Sequence, residues 1–466
     1  VRPEVAAYIL TFSVPFGSLA GVGGEEDSFS ITPTEVLVAL MAIGWLARSV
    51  ARRRLTLGAT PLTTPLAAML AVVVLSAYQA TDLALTLKES LKWLELALVY
   101  LFVLAEMATL RQATLLVVLL LSAAILEALV GSVQFALGLG PEPFAIGRFM
   151  RAYGTFEQPN PYAGYLGMLI PLSVGTLLAT SRPGLRWYAL AACLLAAMAV
   201  GMSLSRGAWV GISLAVLLML LLWSRRSRIL LVLLGIAATP LAVLAFLNLL
   251  PQEVILRLAT VLDYFRFFDV TTEVVTSQNF AVVERVAHWQ AALNMIADRP
   301  LLGVGAGNYA AVYLEYSLPD WDEPLGHAHN YYLNVAAETG FVGLLADLWL
   351  LVAALTHTPL WVVRSASLAI PSPAREAGDP LLWRGILAGV LGSLVASSVH
   401  NMFDNLFVHS MSVQLGMILA LGQVAAGAVS GCTVPSDSAE SWRARPPALP
   451  AVGAPERPWR HPGVRR

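Results

Sequence analysis

The sequence predicts an all-α polytopic membrane protein of about twelve transmembrane helices, with one large extracytoplasmic loop that itself contains helices. Three observations predict it. Of 466 residues 57% are hydrophobic and only 13% charged, roughly half the charged share of a soluble domain. Apolar stretches long enough to cross about 30 Å of hydrocarbon recur along the whole chain. Threaded in order, they place the clusters ARRR (residues 51–54) and SRRSR (residues 224–228) on one side, the cytoplasmic one by the positive-inside rule.

The stretches fall at about 4–20, 34–50, 61–79, 91–107, 113–138, 160–179, 187–204, 208–223, 229–249, 330–355, 381–400 and 405–428. The first has a weak basic start, and a helix there makes the later topology work, so it reads as a span rather than a cleaved signal peptide. With the N-terminus inside, 20 of the 29 basic residues are cytoplasmic; moving the phase by one helix would put both arginine clusters outside. Residues 1–428 thus form the transmembrane domain, and 429–466, rich in Pro and Arg without a periodic apolar face, read as a disordered cytoplasmic tail.

The loop at about 250–329 is extracytoplasmic on this threading. Its front, EVILRLATVLDYFRFFD, places Val254, Ile255, Leu258, Leu262 and Phe265 on one helical face, as in a helix lying in the membrane interface. The loop carries four arginines against ten acids, so bulk charge would not draw an anion to it and individually placed cations would have to. A net charge of −1 says little about partners, because what orients a membrane protein is where Lys and Arg sit; no nucleic-acid partner is expected, and two cysteines, Cys193 and Cys432, give neither a disulfide framework nor a CxxC metal site. The turn GVGAGN at 303–308 follows no strand and reads as glycines permitting a tight re-entry rather than as a nucleotide loop. The acids of GEEDS (residues 24–28) read as a solvated loop.

Polar chemistry collects at the membrane's outer lip. Arg206, in GMSLSRGAWVG between two spans, is either a snorkelling helix cap or a planar fork for a phosphate. Arg285 opens the helix ERVAHWQAALNMIADRP, with Trp289 and Ala292 on the same face; packing against the indole is the alternative to ligand contact. His327 and His329 precede Asn330 where GHAHNYYLNVAAETGFVG enters a span. HxH on a regular helix is a poor zinc pair, and with no HExxH or CxxC partner visible the reading is metal-free and cofactor-free. A histidine near neutral pKa suits a general base for a hydroxyl. Arg148 and Arg151, in RFMRAYGTFEQPNPYAGYLG, are interfacial anchors or ligand contacts. His400, Asp404 and His409, in SSVHNMFDNLFVHS, fall on the same outer side. Glu127, Glu338 and Asp347 lie within spans and are expected to face the bundle interior.

The Arg-x3-Trp-x2-Ala helix, the turn RPLLGVGAGNY and HAHNYYLNVAAETGFVG together resemble the C-terminal signature of the O-antigen ligase and O-antigen polymerase superfamily, here spanning about 206–345. The resemblance implies a glycosyltransferase C-like membrane fold and transfer of a glycan from a polyprenyl (undecaprenyl) diphosphate to an acceptor hydroxyl on a lipid core, a glycan or a protein. It implies an enzyme of the bacterial inner membrane that faces outward. It marks Arg206 and Arg285 as diphosphate contacts and His329 as the group that activates or orients the acceptor. Arg148, Arg151, His327, Asn330, His400 and Asp404 are the expected substrate contacts. Because the leaving diphosphate is already good, the expected chemistry is inverting and metal-independent, of ligase, polymerase or protein-glycosylating type. A transporter or flippase is the alternative from another class, but it would call for polar groups at the midplane and an inverted repeat. Twelve spans and acids within them fit that reading equally, but the polar constellation clusters on one face rather than at the midplane, and no inverted repeat is visible.

Overall fold

Helix starts are written into the chain by capping residues and prolines, and the fold follows from where they fall. Thr32 with Glu35 and Thr109 with Gln112 close capping boxes at the heads of two helices, and Asp82 caps a third; Pro33, Pro159 and Pro183 each occupy a first helical turn. The computed structural model describes residues 2–17, 31–53, 58–247, 253, 255, 268–276, 279–367 and 380–430. They form α1 (Val5–Phe16), α2 (Pro33–Ala51), α3 (Thr63–Leu75), α4 (Leu83–Glu106), α5 (Leu110–Leu137), α6 (Pro159–Ala179), α7 (Pro183–Ser203), α8 (Arg206–Trp223) and α9 (Arg225–Phe246). After these come α10 (Phe280–Asp298), α11 (Tyr309–Tyr316), α12 (Tyr331–Ser367), α13 (Pro380–His400) and α14 (Met411–Ser430). A two-residue hairpin, β1 (Ala145–Ile146) with β2 (Phe149–Met150), is the one sheet among the described residues.

This is an all-helical, multi-pass membrane protein. Among the described residues, eight helices are long and apolar enough to cross a bilayer: α2, α5, α6, α7, α8, and the apolar stretches Tyr331–His357, Leu381–His400 and Met411–Val429 of α12, α13 and α14. Each of the twelve expected spans lands on a helix, yet four miss that measure for readable reasons. Val5–Phe16 and Thr63–Gln79 are apolar but short. α4 carries Lys88, Glu89, Lys92 and Glu95, and α9, apolar from Ile229 onward, includes side chains that lie outside the described set. Most of the interfacial helix expected over 253–269, the GEEDS segment, Cys432 and the tail lie outside the described residues.

The core sits where α6, α13 and α14 are enclosed by their neighbours. α13 packs most extensively on α6 and α8, and α14 on α4. Glu127, Glu338 and Asp347 face inward as expected. Glu127 accepts from the Thr155 hydroxyl at 2.8 Å, Glu338 from the Tyr309 backbone N–H at 3.2 Å, and Asp347 from the Tyr331 hydroxyl at 2.8 Å; paired in this way, a buried carboxyl keeps its hydrogen bonds.

One break was not expected. The span predicted as continuous over 330–355 is interrupted at Gly340, which takes φ +66° and ψ −171°, a combination that only glycine adopts without strain. The interruption frees the carbonyls of Ala337 and Glu338, and the amides of Val304 and Gly305 donate to them, each at 2.9 Å. The RPLLGVGAGN turn is therefore zipped onto the kink, and a Cβ on Gly303 would stand 2.4 Å from the Ala337 oxygen. Asn308 anchors the far end of the turn: its side chain accepts from Asp82 N–H at 2.7 Å and donates to the Thr86 hydroxyl at 2.9 Å. These bonds fix α10 and α11 over the ends of α4 and α12.

Candidate functional site

The site is built where helix ends meet the loop helices. Asn330 caps α12, its side-chain oxygen accepting from the N–H groups of Tyr332 and Leu333 at 3.0 and 3.1 Å. The residue before it, His329, is held at φ +49°, a left-handed conformation that costs a side-chain-bearing residue about 1 kcal/mol or more. Contacts on both sides hold it there. Its N–H donates to Nδ1 of His327 at 3.0 Å, and its carbonyl receives the Trp289 indole N–H at 3.5 Å. The imidazole stands edge-on to His327 at 4.6 Å and to His288 at 5.5 Å. Among the described residues neither of its ring nitrogens has a hydrogen-bond partner.

Asp404 reaches this cluster from the turn between α13 and α14, a turn tied to the head of α12 because the Tyr331 N–H donates to the carbonyls of Asn401 and Asp404. Its Oδ1 lies 3.7 Å from His327 Nε2 and 3.8 Å from His329 Nδ1. Burial alone would raise this carboxyl, but the His329 ring, with His327 and His400 behind it, outweighs burial and holds it well below the usual carboxylate range. Burial, with the neighbouring His329, pushes His327 down to about 4.

This corrects one expectation. No third metal-type ligand was visible beside the HxH pair, yet the fold brings Asp404 so close that one donor atom from each residue lies within 4.8 Å of the others. The hydrogen bond into His327 Nδ1 decides how the trio is used. With Nδ1 accepting, the neutral ring carries its proton on Nε2, so a proton rather than a lone pair faces the carboxylate. Asp404 likewise favours the His329 tautomer protonated on Nδ1, which leaves Nε2 as the basic nitrogen.

Across from the imidazole are the cations. Arg206 opens α8 and Arg285 lies in the second turn of α10; both are buried, at 5% and 7% exposure. Arg151 is clamped by its own bonds, Nε to the Ser203 carbonyl at 2.7 Å and Nη2 to Asn160 Oδ1 at 2.9 Å. Arg151, Arg206, Arg285 and His329 line a single cavity of about 160 Å3, together with Asn160 and Glu284. Burial raises the Glu284 carboxyl, against the opposing pull of His329 and Arg285. Three guanidiniums around a small cavity form a cradle for a polyanion, and their planar forks match phosphate oxygens.

Residues 191–347 of the chain match the family model described as O-antigen ligase. They form an O-antigen ligase domain. No curated protein matches the chain. The ligase domain runs from within α7 to just past the kink of α12 and contains Arg206, Arg285, His327, His329 and Asn330. Arg151, Asn160, His400 and Asp404 lie outside it in sequence and meet it in space.

The other expected contacts take different places. Arg148 stays out of the cavity: it is exposed on the hairpin turn, its guanidinium over the Phe149 ring at 4.9 Å. Asn330 spends its oxygen on the helix cap. His400 is buried under the ligase domain, its Nε2 3.4 Å from the Ser205 hydroxyl. Gly207 makes that packing feasible, since a Cβ there would stand 2.7 Å from the His400 ring. Asn160, Glu284 and His288 were not singled out from sequence. Asn160, in the PNP break beside Arg151, was signalled only by a polar residue opening a span, and Glu284 only by its place before Arg285.

Proposed function

We propose that the chain is a membrane glycosyltransferase of the O-antigen ligase type, moving a glycan from a polyprenyl diphosphate to an acceptor hydroxyl at the outer face of the bacterial inner membrane. The meeting of Arg151, Arg206, Arg285 and His329 on one cavity carries this reading. Arg206 and Arg285, steadied by Arg151, hold the donor diphosphate. His329 Nε2 takes the proton of the acceptor hydroxyl, whose oxygen bonds to the anomeric carbon with inversion. The bond from that carbon to the diphosphate breaks, and its electron pair leaves on a phosphate oxygen whose charge the guanidiniums meet. Asp404 keeps the imidazole in the tautomer that can accept. No step calls for a metal. On this reading all twelve apolar helices traverse the membrane, and the α10–α11 segment faces outward.

The test uses the purified full chain in lipid nanodiscs with a polyprenyl-diphosphate oligosaccharide and an acceptor glycolipid. Wild type transfers the oligosaccharide in the presence of chelator. Arg206→Ala loses donor binding, while His329→Ala binds donor and fails to transfer it. Transfer by His329→Ala at the wild-type rate, or transfer only with added divalent ions, overturns the mechanism.

A further inference from the structure

Beside the arginine cavity lies a larger one of about 590 Å3, walled by the start of α10 and the 318–323 segment. Its charge is opposite. Glu273, Glu284, Asp320, Asp322 and Glu323 line it, with no Lys or Arg among the described lining residues. Its apolar wall is aromatic: the Phe280 and Trp321 rings lie 5.5 Å apart with planes tilted 38°, and Phe280 is 48% exposed. Glu284 lines both cavities. His288, which lines the acidic one, stands against the His329 imidazole of the other.

The Tyr313 ring, stacked on His288 at 4.7 Å, supports that wall.

Carboxylates accept from sugar hydroxyls, and aromatic faces pack on the apolar face of a pyranose. The same carboxylates repel phosphates and uronic acids and attract amines. We propose that this cavity is the acceptor subsite and that it selects an uncharged or amino-bearing glycan over an anionic one. The proposal rests on the transferase reading for its geometry. With the donor diphosphate on the arginines, the acceptor hydroxyl must approach His329 from the side away from the leaving group. Glu284, shared by both cavities, and His288, 5.5 Å from the His329 ring, join the acidic cavity to that imidazole.

Binding of free tetrasaccharides to the full chain in nanodiscs tests it without a transfer assay. Maltotetraose is the neutral probe, a chitosan tetramer the cationic one and tetragalacturonate the anionic one. Calorimetric titration is expected to rank them cationic, then neutral, with the anion unbound. Trp321→Ala weakens maltotetraose by about tenfold, the scale of a lost aromatic contact plus its buried area. The double variant D322N/E323Q abolishes the preference for the chitosan tetramer. Equal binding of tetragalacturonate and maltotetraose, no binding by any of the three, or an unchanged Trp321→Ala each overturns the proposal. So does a Trp321→Ala variant that loses the polyprenyl-diphosphate oligosaccharide while keeping maltotetraose, which would assign the cavity to the donor glycan. Arg206→Ala separates the two readings: it abolishes donor binding if the transferase reading holds, and it leaves the tetrasaccharide ranking in place whether or not that reading holds.

Discussion

The cavity of Arg151, Arg206 and Arg285 and the cavity of Glu273, Asp320, Asp322 and Glu323 share one wall residue, Glu284, and differ in sign, burial and support. The cationic one is assembled from helix ends. Two of its arginines are nearly inaccessible, and the third is bonded to the end of α7 and the start of α6. The acidic one is assembled from a loop segment, and Asp320, Asp322 and Glu323 are exposed. A guanidinium near hydrocarbon is expensive to place and is kept only where the surroundings fix it, whereas solvated carboxylates act mainly through their summed field. The contrast teaches that changes in the first cavity should cost rate, and changes in the second should cost discrimination.

The sharpest way to break that contrast is at the cations. Arg285→Ala is expected to lower the transfer rate by roughly 10²–10³-fold, the scale of losing one preorganised donor to a developing anion, with donor affinity falling alongside. Arg285→Lys should recover only part, because a point charge cannot reproduce the fork. A rate within threefold of wild type would mean that the cavity does not hold the diphosphate. Next in size is Asp404→Asn, expected to reduce turnover by about 10²-fold while sparing donor affinity, since general-base catalysis contributes roughly 10²–10⁴-fold and depends on the tautomer. Single-turnover rates measured against pH check it: a positioning role moves the acid limb of the profile, where the base must have lost its proton, whereas a purely structural role leaves its shape intact.

The cationic cavity was far more legible in the sequence than the acidic one. Arg206, Arg285 and His329 stand out because charged residues are rare among apolar spans, and each sits at a boundary that periodicity locates. Glu284 and Asp322 are two acids among ten in the loop, and nothing in their spacing says that α10 and the 318–323 segment face each other. Asp404 was legible as a residue of the outer side but not as the partner of two imidazoles, because the turn that delivers it lies some seventy residues further along the chain. The kink at Gly340 was hidden for the converse reason. A glycine inside an apolar span, as in AAETGFVG, is tolerated in a continuous helix, and only the loop amides that claim the freed carbonyls decide for a break.

That break gives a prediction of intermediate size. Gly340→Ala places a Cβ 2.2 Å from Leu301 on a backbone at φ +66°, so about 3 kcal/mol or more of stability should be lost. A lower thermal midpoint with slower transfer is expected. The maltotetraose affinity of whatever remains folded should change less than the transfer rate, because the acidic cavity is walled by segments that make no bond to the kink. If both fall together, the two cavities are mechanically one.

The smallest expected effect compares the cavities through their titrations. Burial, reinforced by His329 and His327, pushes the His288 imidazole from 6.5 down to about 3, and burial with His329 pushes His327 down to about 4. Between pH 6.5 and about 4 the unfolded chain therefore binds protons that the folded chain refuses. Stability then falls as pH falls, by up to about 1.4 kcal/mol per pH unit for each ring. Asp404, depressed, adds a loss of the same sign once pH drops below its ordinary range. Glu284, raised by burial, works the other way: just above 4.5 the folded chain holds the extra proton, so acid relieves it. Thermal midpoints taken from pH 7 to 4.5 should slope downward, less steeply in His327→Gln and more steeply in Glu284→Gln. Opposite signs for those two variants would show that the shared wall is strained by its charge and the histidine side by its neutrality, which is the division between the cavities read out as protons.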